Sequence, residues 1–186
     1  GPFRAALRIV DGATKWVVSA VVLGMLAWQH DAGACWWVLG SIAAAFNCKV
    51  LKGVVNEARP AGARKSDPGM PSSHAQSLAF HSSYASLELV ARAGAEAAGG
   101  QAAALCAAGA LLSWLRVELG FHTEAQVLAG LLLGLVSSLA WRRLGDAVGV
   151  GELAGGLLAQ GLFVATGAAV LAFVVMTVRG WLREAG

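Results

Sequence analysis

Apolar runs close to twenty residues long recur from one end of this chain to the other, parted by short polar stretches. Each run, wound as a helix, is long enough to cross a hydrocarbon core of about 30 Å. Of the 186 residues, 57% are hydrophobic and 13% charged, whereas a soluble globular domain carries about 25% charged residues. The pattern predicts an all-α, polytopic membrane bundle of about six transmembrane helices, with residues 1–186 forming a single domain. A net charge of +3 would raise nucleic acid as a partner in a soluble chain, but the basic residues form no long solvated run. Cations beside anionic lipid heads are the simpler reading, so membrane lipids are the expected surroundings and nucleic acid is not a partner. The three cysteines, Cys35, Cys48 and Cys106, are odd in number and lie in apolar segments, which argues against a disulfide framework. Because the sequence starts at Gly1, it reads as a fragment or a processed form, with any targeting segment upstream.

Residues 1–13 mix basic and apolar side chains and read as a helix on the membrane surface. A first span follows over 14–29, with Trp16 and Trp28 near its ends, where aromatic rings favour the interface. A second covers 34–55 and turns polar at Asn47, Lys49 and Lys52; Pro60 is expected to end that helix near Arg59. After a loop at 61–70, further spans are expected at 72–93, 101–118, 122–141 and 157–178. A small-residue turn at 94–100 and a Gly-rich connection at 145–156 part some of them, and Arg179, Trp181 and Arg183 form a terminal interfacial anchor. Gly120 is placed to cap the fourth helix. Gly130 and Gly134 make a GxxxG on the fifth span, read as internal packing.

Three polar islands interrupt this background. Lys52 and Arg59 are seven residues apart, close to two helical turns, so on a continuous helix both would project from one face. In Pro71-Ser72-Ser73-His74, Pro71 can start a helix and either serine can cap it. His74 then lies in the first turn, where free amides suit a bound phosphate. The third island carries Arg116, His122 and Gln126, the last two being helical neighbours if one helix holds both. Each island alone has a plain explanation: a snorkelling cation, a capping serine, an interfacial histidine. Six spans, however, put all three at the same membrane face. Three cations and helix N-terminal amides can hold a phosphate dianion and the charge of its transition state. One histidine can attack phosphorus while the other protonates the leaving oxygen. No Asp/Glu/His cluster has metal-ligand spacing, so a metal-free phosphoryl transfer without a cofactor is expected. Glu57, Asp67, Glu118 and Glu124 read as solvated or ion-pairing, since carboxylates repel phosphate.

In order and spacing the islands resemble the signature K-x6-R-P, P-S-G-H, S-R-x5-H-x3-D of the type 2 phosphatidic acid phosphatase family, membrane relatives of the vanadium haloperoxidases. The wording SDPGMPSSHAQS and SWLRVELGFHTEAQV is similar to the chloroplast lipid phosphate phosphatases of the epsilon and gamma type, which implies a plastid membrane. The resemblance implies that Lys52, Arg59 and Arg116 bind phosphate, with Ser72 and the Ser73 amide completing the cradle. It implies His74 as general acid and His122 as the nucleophile that becomes phosphohistidine, with phosphatidic acid the expected lipid substrate. The sequence departs from the signature at Ser73, a glycine in the family, at Leu115, a serine, and at Gln126, the aspartate that orients the nucleophile. A glutamine oxygen still accepts the imidazole N–H, but brings no charge to stabilise an imidazolium. A dolichyl-diphosphatase-like branch shares the MPSSHxQ and HTxxQV wording, so a polyprenyl diphosphate is the alternative substrate. A catalytically silent protein that binds anionic lipid is the alternative of another class.

Overall fold

The computed structural model describes residues 1–61, 63, 67–153 and 155–185, without the side chains of Thr177 and of residues 180–185. The expected loop positions Gly62, Arg64, Lys65 and Ser66, and the side chains of Trp181 and Arg183 in the expected anchor, lie outside the described residues. Among the described residues six α-helices follow one another: α1 (Pro2–Gln29), α2 (Ala32–Val55), α3 (Ser73–Ala93), α4 (Ala95–Glu118), α5 (Glu124–Ala147) and α6 (Gly156–Ala185). A single 3-10 turn, Val150–Glu152, precedes the last. Five of these, all but α3, are long and apolar enough to cross a membrane. The chain is an integral membrane protein of all-α fold.

The exception has a reason. Helix α3 carries Ser73, His74, Gln76, His81 and several further serines, and it packs most extensively of all on α5 and α4. Enclosed by its neighbours, it shows little surface to lipid and needs no apolar coat. The outer helices carry that coat instead: Trp28, Leu132, Leu157 and Val164 are all more than half exposed on the bundle surface. Inside, Val22, Trp37, Val38, Ala44, Phe80 and Tyr84 form the apolar centre. Trp36 and Trp141 stack with ring centroids 4.5 Å apart. Each indole N–H donates to the other's carbonyl, at 3.1 and 2.7 Å, which locks α2 to α5.

Glycine makes the α3–α5 contact possible. A Cβ on Gly130 would strike the Ser72 carbonyl oxygen, and one on Gly134 the Gln76 carbonyl oxygen and Ala79. The GxxxG therefore serves internal packing, as its place in a small-residue bundle suggests. Gly134→Val is expected to cost about 3 kcal/mol, the upper range for overpacking, because backbone cannot yield as a side chain does. Thermal melting in detergent checks this; an unchanged Tm would mean that α5 can slide on α3.

Several boundaries differ from the sequence expectation. Residues 1–13 and the first span are one continuous helix, since nothing between Pro2 and Gln29 stops it. At 28 residues it is about 42 Å long, more than the hydrocarbon core needs. Trp16 consequently lies mid-helix and not at an end. The expected turn at 94–100 shrinks to Gly94, whose φ of 83° ends α3, and Ala95 already begins α4. Helix α2 ends at Val55, capped by Asn56 in the left-handed region, before Pro60 can act. Helix α5 starts at Glu124 with Thr123 as N-cap, so His122 stands just outside it. The three cysteines are free thiols.

Candidate active site

The second and third islands are bonded to each other. Ser72 is fully buried and caps α3, its hydroxyl accepting from the Ala75 amide at 3.4 Å, while its own N–H donates to the Gln126 carbonyl at 2.9 Å. At the start of α5, Thr123 and Gln126 form a reciprocal capping box. That box turns the Gln126 side chain back towards His122, whose Nδ1 lies 3.0 Å from Gln126 Oε1. Gln126 Nε2 donates to Glu57 Oε1 and to the Ala58 carbonyl, both at 2.8 Å. The glutamine is thus pinned at both ends, with the Glu57 carboxylate one hydrogen bond beyond it. Gly69 passes directly over the Gln126 amide, where any Cβ would clash with it.

The first island reaches the site by a route other than a shared helix face. Lys52 is buried on the last turn of α2, whereas Arg59 follows the helix end in a stretch without regular structure. Both turn to Asp67: Arg59 Nη2 donates to its two carboxylate oxygens at 2.9 Å each, and Lys52 Nζ lies 3.4 Å from Oδ2. Lys52 Nζ also donates to the Pro68 carbonyl at 2.6 Å. Asp67 is the ion-pairing residue expected of it; Glu57, by contrast, is tied to the site glutamine. Burial pushes the Asp67 carboxyl up, but the Arg59 hydrogen bonds and the charges of Arg59 and Lys52 prevail and hold it below its usual value. Arg59 Nη1 lies 2.8 Å from His122 Nε2. An arginine N–H can only donate, so Nε2 presents its lone pair and Nδ1 carries the proton that Gln126 Oε1 accepts. Burial pushes the His122 pKa down to about 4; the Gln126 hydrogen bond opposes this, and Arg59, Arg116 and Lys52 reinforce it. The imidazole is neutral at physiological pH.

Arg116 and His74 lie together on another side. Arg116 Nη1 donates to Asp11 Oδ2 at 2.6 Å, and its guanidinium lies over the Phe121 ring, 4.6 Å from the centroid. His74 Nε2 stands 3.8 Å from Asp11 Oδ1. Asp11, on α1, has no counterpart in the sequence expectation. The available signal was a carboxylate inside a long apolar helix, where an ionisable group is costly. Ser73 is exposed, its hydroxyl 3.5 Å from Cys48 Sγ. A cleft of about 260 Å³ opens between Arg8, Asp11, Arg59, Arg116 and Phe121, so α1 walls one side of the same region. Among the described residues no three His, Cys, Asp or Glu side chains are grouped to hold a metal ion.

No family model matches the chain. It is 32% identical over 178 residues to lipid phosphate phosphatase epsilon 2, chloroplastic, of Arabidopsis thaliana. It is 34% identical over 183 residues to epsilon 1, chloroplastic, of the same plant. Each alignment takes in 95% of this chain, which spans only 62% and 64% of the two relatives. The fold is similar to the crystal structure of a transmembrane PAP2-type phosphatidylglycerolphosphate phosphatase from Bacillus subtilis, with a TM-score of 0.63 and 20% identity over 78% of each chain. At about a third identity across 95% of its length, the chain is similar to chloroplastic lipid phosphate phosphatases, and its fold is that of a transmembrane PAP2-type phosphatase.

Proposed function

We propose that the protein is a lipid phosphate phosphatase of a plastid membrane that hydrolyses phosphatidic acid to diacylglycerol and inorganic phosphate. The observation that carries this reading is the state of His122: buried, neutral, its Nδ1–H held by Gln126 and its Nε2 lone pair facing Arg59. That is a nucleophile oriented at a cation that can bring phosphate to it. In the free protein the Asp67 carboxylate occupies Lys52 and Arg59. An incoming phosphate takes over these donors, and Arg116 and the Ser73 amide at the N-terminus of α3 complete the cradle, with Ser72 shaping it as the cap. His122 Nε2 then attacks phosphorus. The P–O bond to the glycerol oxygen breaks, its electron pair stays on that oxygen, and His74 supplies the proton. In the second half a water attacks the phosphohistidine, its proton returns to His74, and phosphate leaves with the P–N bond broken. Lys52, Arg59 and Arg116 supply the positive charge, so no metal is assigned a step.

A polyprenyl diphosphate is the second reading. Arg8 favours it, a third cation lining the cleft beside Arg59 and Arg116. The test is phosphate release by the purified protein in micelles containing EDTA, with the two lipids offered side by side. Turnover of phosphatidic acid that persists in EDTA is expected. Preference for the diphosphate would move the protein to the isoprenoid substrate, activity lost to EDTA would overturn the metal-free mechanism, and binding without release would mark a silent lipid-binding protein.

A further inference from the structure

The catalytic scheme leaves Asp11 unused, yet the fold buries it at 7% exposure against two of the scheme's residues. Its Oδ2 receives Arg116 Nη1 at 2.6 Å and its Oδ1 stands 3.8 Å from His74 Nε2. Neither Oδ1 nor that imidazole nitrogen has a hydrogen-bond partner among the described residues. The distance is too long for a hydrogen bond but within ion-pair range. The charges around His74 are otherwise unfavourable to an imidazolium: Arg116 approaches from α4, with Arg59 and Arg8 on the same cleft. Among the described residues Asp11 is the one carboxylate facing it. Nor does stability account for the residue, since a buried ion pair is often no better for folding than apolar side chains of the same volume.

We propose that Asp11 is a positioning residue for phosphoryl transfer, its carboxylate balancing the charge of His74 while that histidine carries the leaving-group proton. Helix α1 thereby becomes part of the active site, and not only a membrane anchor. This rests on the phosphatase reading and on His74 as general acid.

The assignment predicts a dependence on the leaving group. Asp11→Asn, Asp11→Glu, His74→Ala and the double variant Asp11→Asn/His74→Ala are compared with the wild type on two substrates. One is phosphatidic acid, whose alkoxide needs a proton to depart; the other is an acyl-tailed nitrophenyl phosphate, whose phenolate does not. Asp11→Asn is expected to lower kcat on phosphatidic acid about 100-fold, within the range for general acid catalysis, and on the aryl ester by less than about 5-fold. Asp11→Glu should recover much of the loss. The double variant should be no slower than His74→Ala, because the two residues act as one unit. Equal losses on both substrates, additive losses in the double variant, or full activity in Asp11→Asn would each overturn the proposal while leaving the phosphatase reading intact. A wild-type protein that releases phosphate from neither substrate would overturn both.

Discussion

His122→Ala is expected to abolish phosphate release, lowering kcat by roughly 10⁴-fold or more, the scale on which loss of a nucleophile is felt. The geometry dictates so large an effect because no other group in the site can replace the imidazole. His74 stands beside Arg116 and Asp11 and not on the Arg59 cradle, and the serines are committed elsewhere, Ser72 to its cap and Ser73 to Cys48. Folding should tolerate the change, since His122 lies in the loop ahead of α5 and the capping box of Thr123 and Gln126 does not need it. The companion measurement is titration of the His122 ring by NMR in the wild type. An ordinary histidine titrates near 6.5; burial among three cations places this one at about 4, so the ring should stay neutral well below neutral pH and take its proton only in that acid range. A midpoint near 6.5 would mean that water and anions reach the ring freely, and that the lone pair is not kept available as described. Residual turnover near the wild-type rate in the alanine variant would remove His122 from the chemistry altogether.

Arg59→Lys carries the second-largest expected effect, a loss of about 10²- to 10³-fold in kcat/KM, although charge is conserved. Arg59 spans two functions through one planar fork: Nη2 grips both oxygens of a carboxylate while Nη1 meets His122 Nε2 at 2.8 Å. A lysine ammonium is a point charge on a flexible stem and cannot hold an anion bidentately while facing the nucleophile. Losing one preorganised donor to a transition-state oxyanion typically costs 10²–10³-fold. Lys52→Arg is the contrasting case, because Lys52 already acts as a single point of charge. A measured kcat/KM for Arg59→Lys within a few-fold of wild type would show that the guanidinium serves charge alone.

Much of this site was legible in the chain. Apolar runs too long for a soluble core determine a membrane bundle, because in hydrocarbon the backbone must satisfy itself within each helix. The candidate groups stand out in the sequence too. Lys52, Arg59, Ser72, His74, Arg116, His122 and Gln126 punctuate those runs at the ends of helices, and local rules place them there: Ser72 caps α3, Thr123 and Gln126 box the start of α5, and Gly120 follows the end of α4 with a φ of 73°. Such signals act over one helical turn, and one turn of sequence contains them.

What only the tertiary structure decided is which charges answer one another. Lys52 and Arg59 meet on Asp67 and not on a helix face, because α2 stops at Val55 and the Gly69 amide is tied back to the Glu57 carbonyl at 2.7 Å. Glu57 supports Gln126 across 69 positions, and Asp11 reaches Arg116 across 105. Carboxylates at such separations look like solvated charges in sequence, since electrostatic pairing depends on distance and burial, neither of which has a period along the chain. Local codes write helices, caps and motif order; the partner of a buried charge is chosen by how the helices pack.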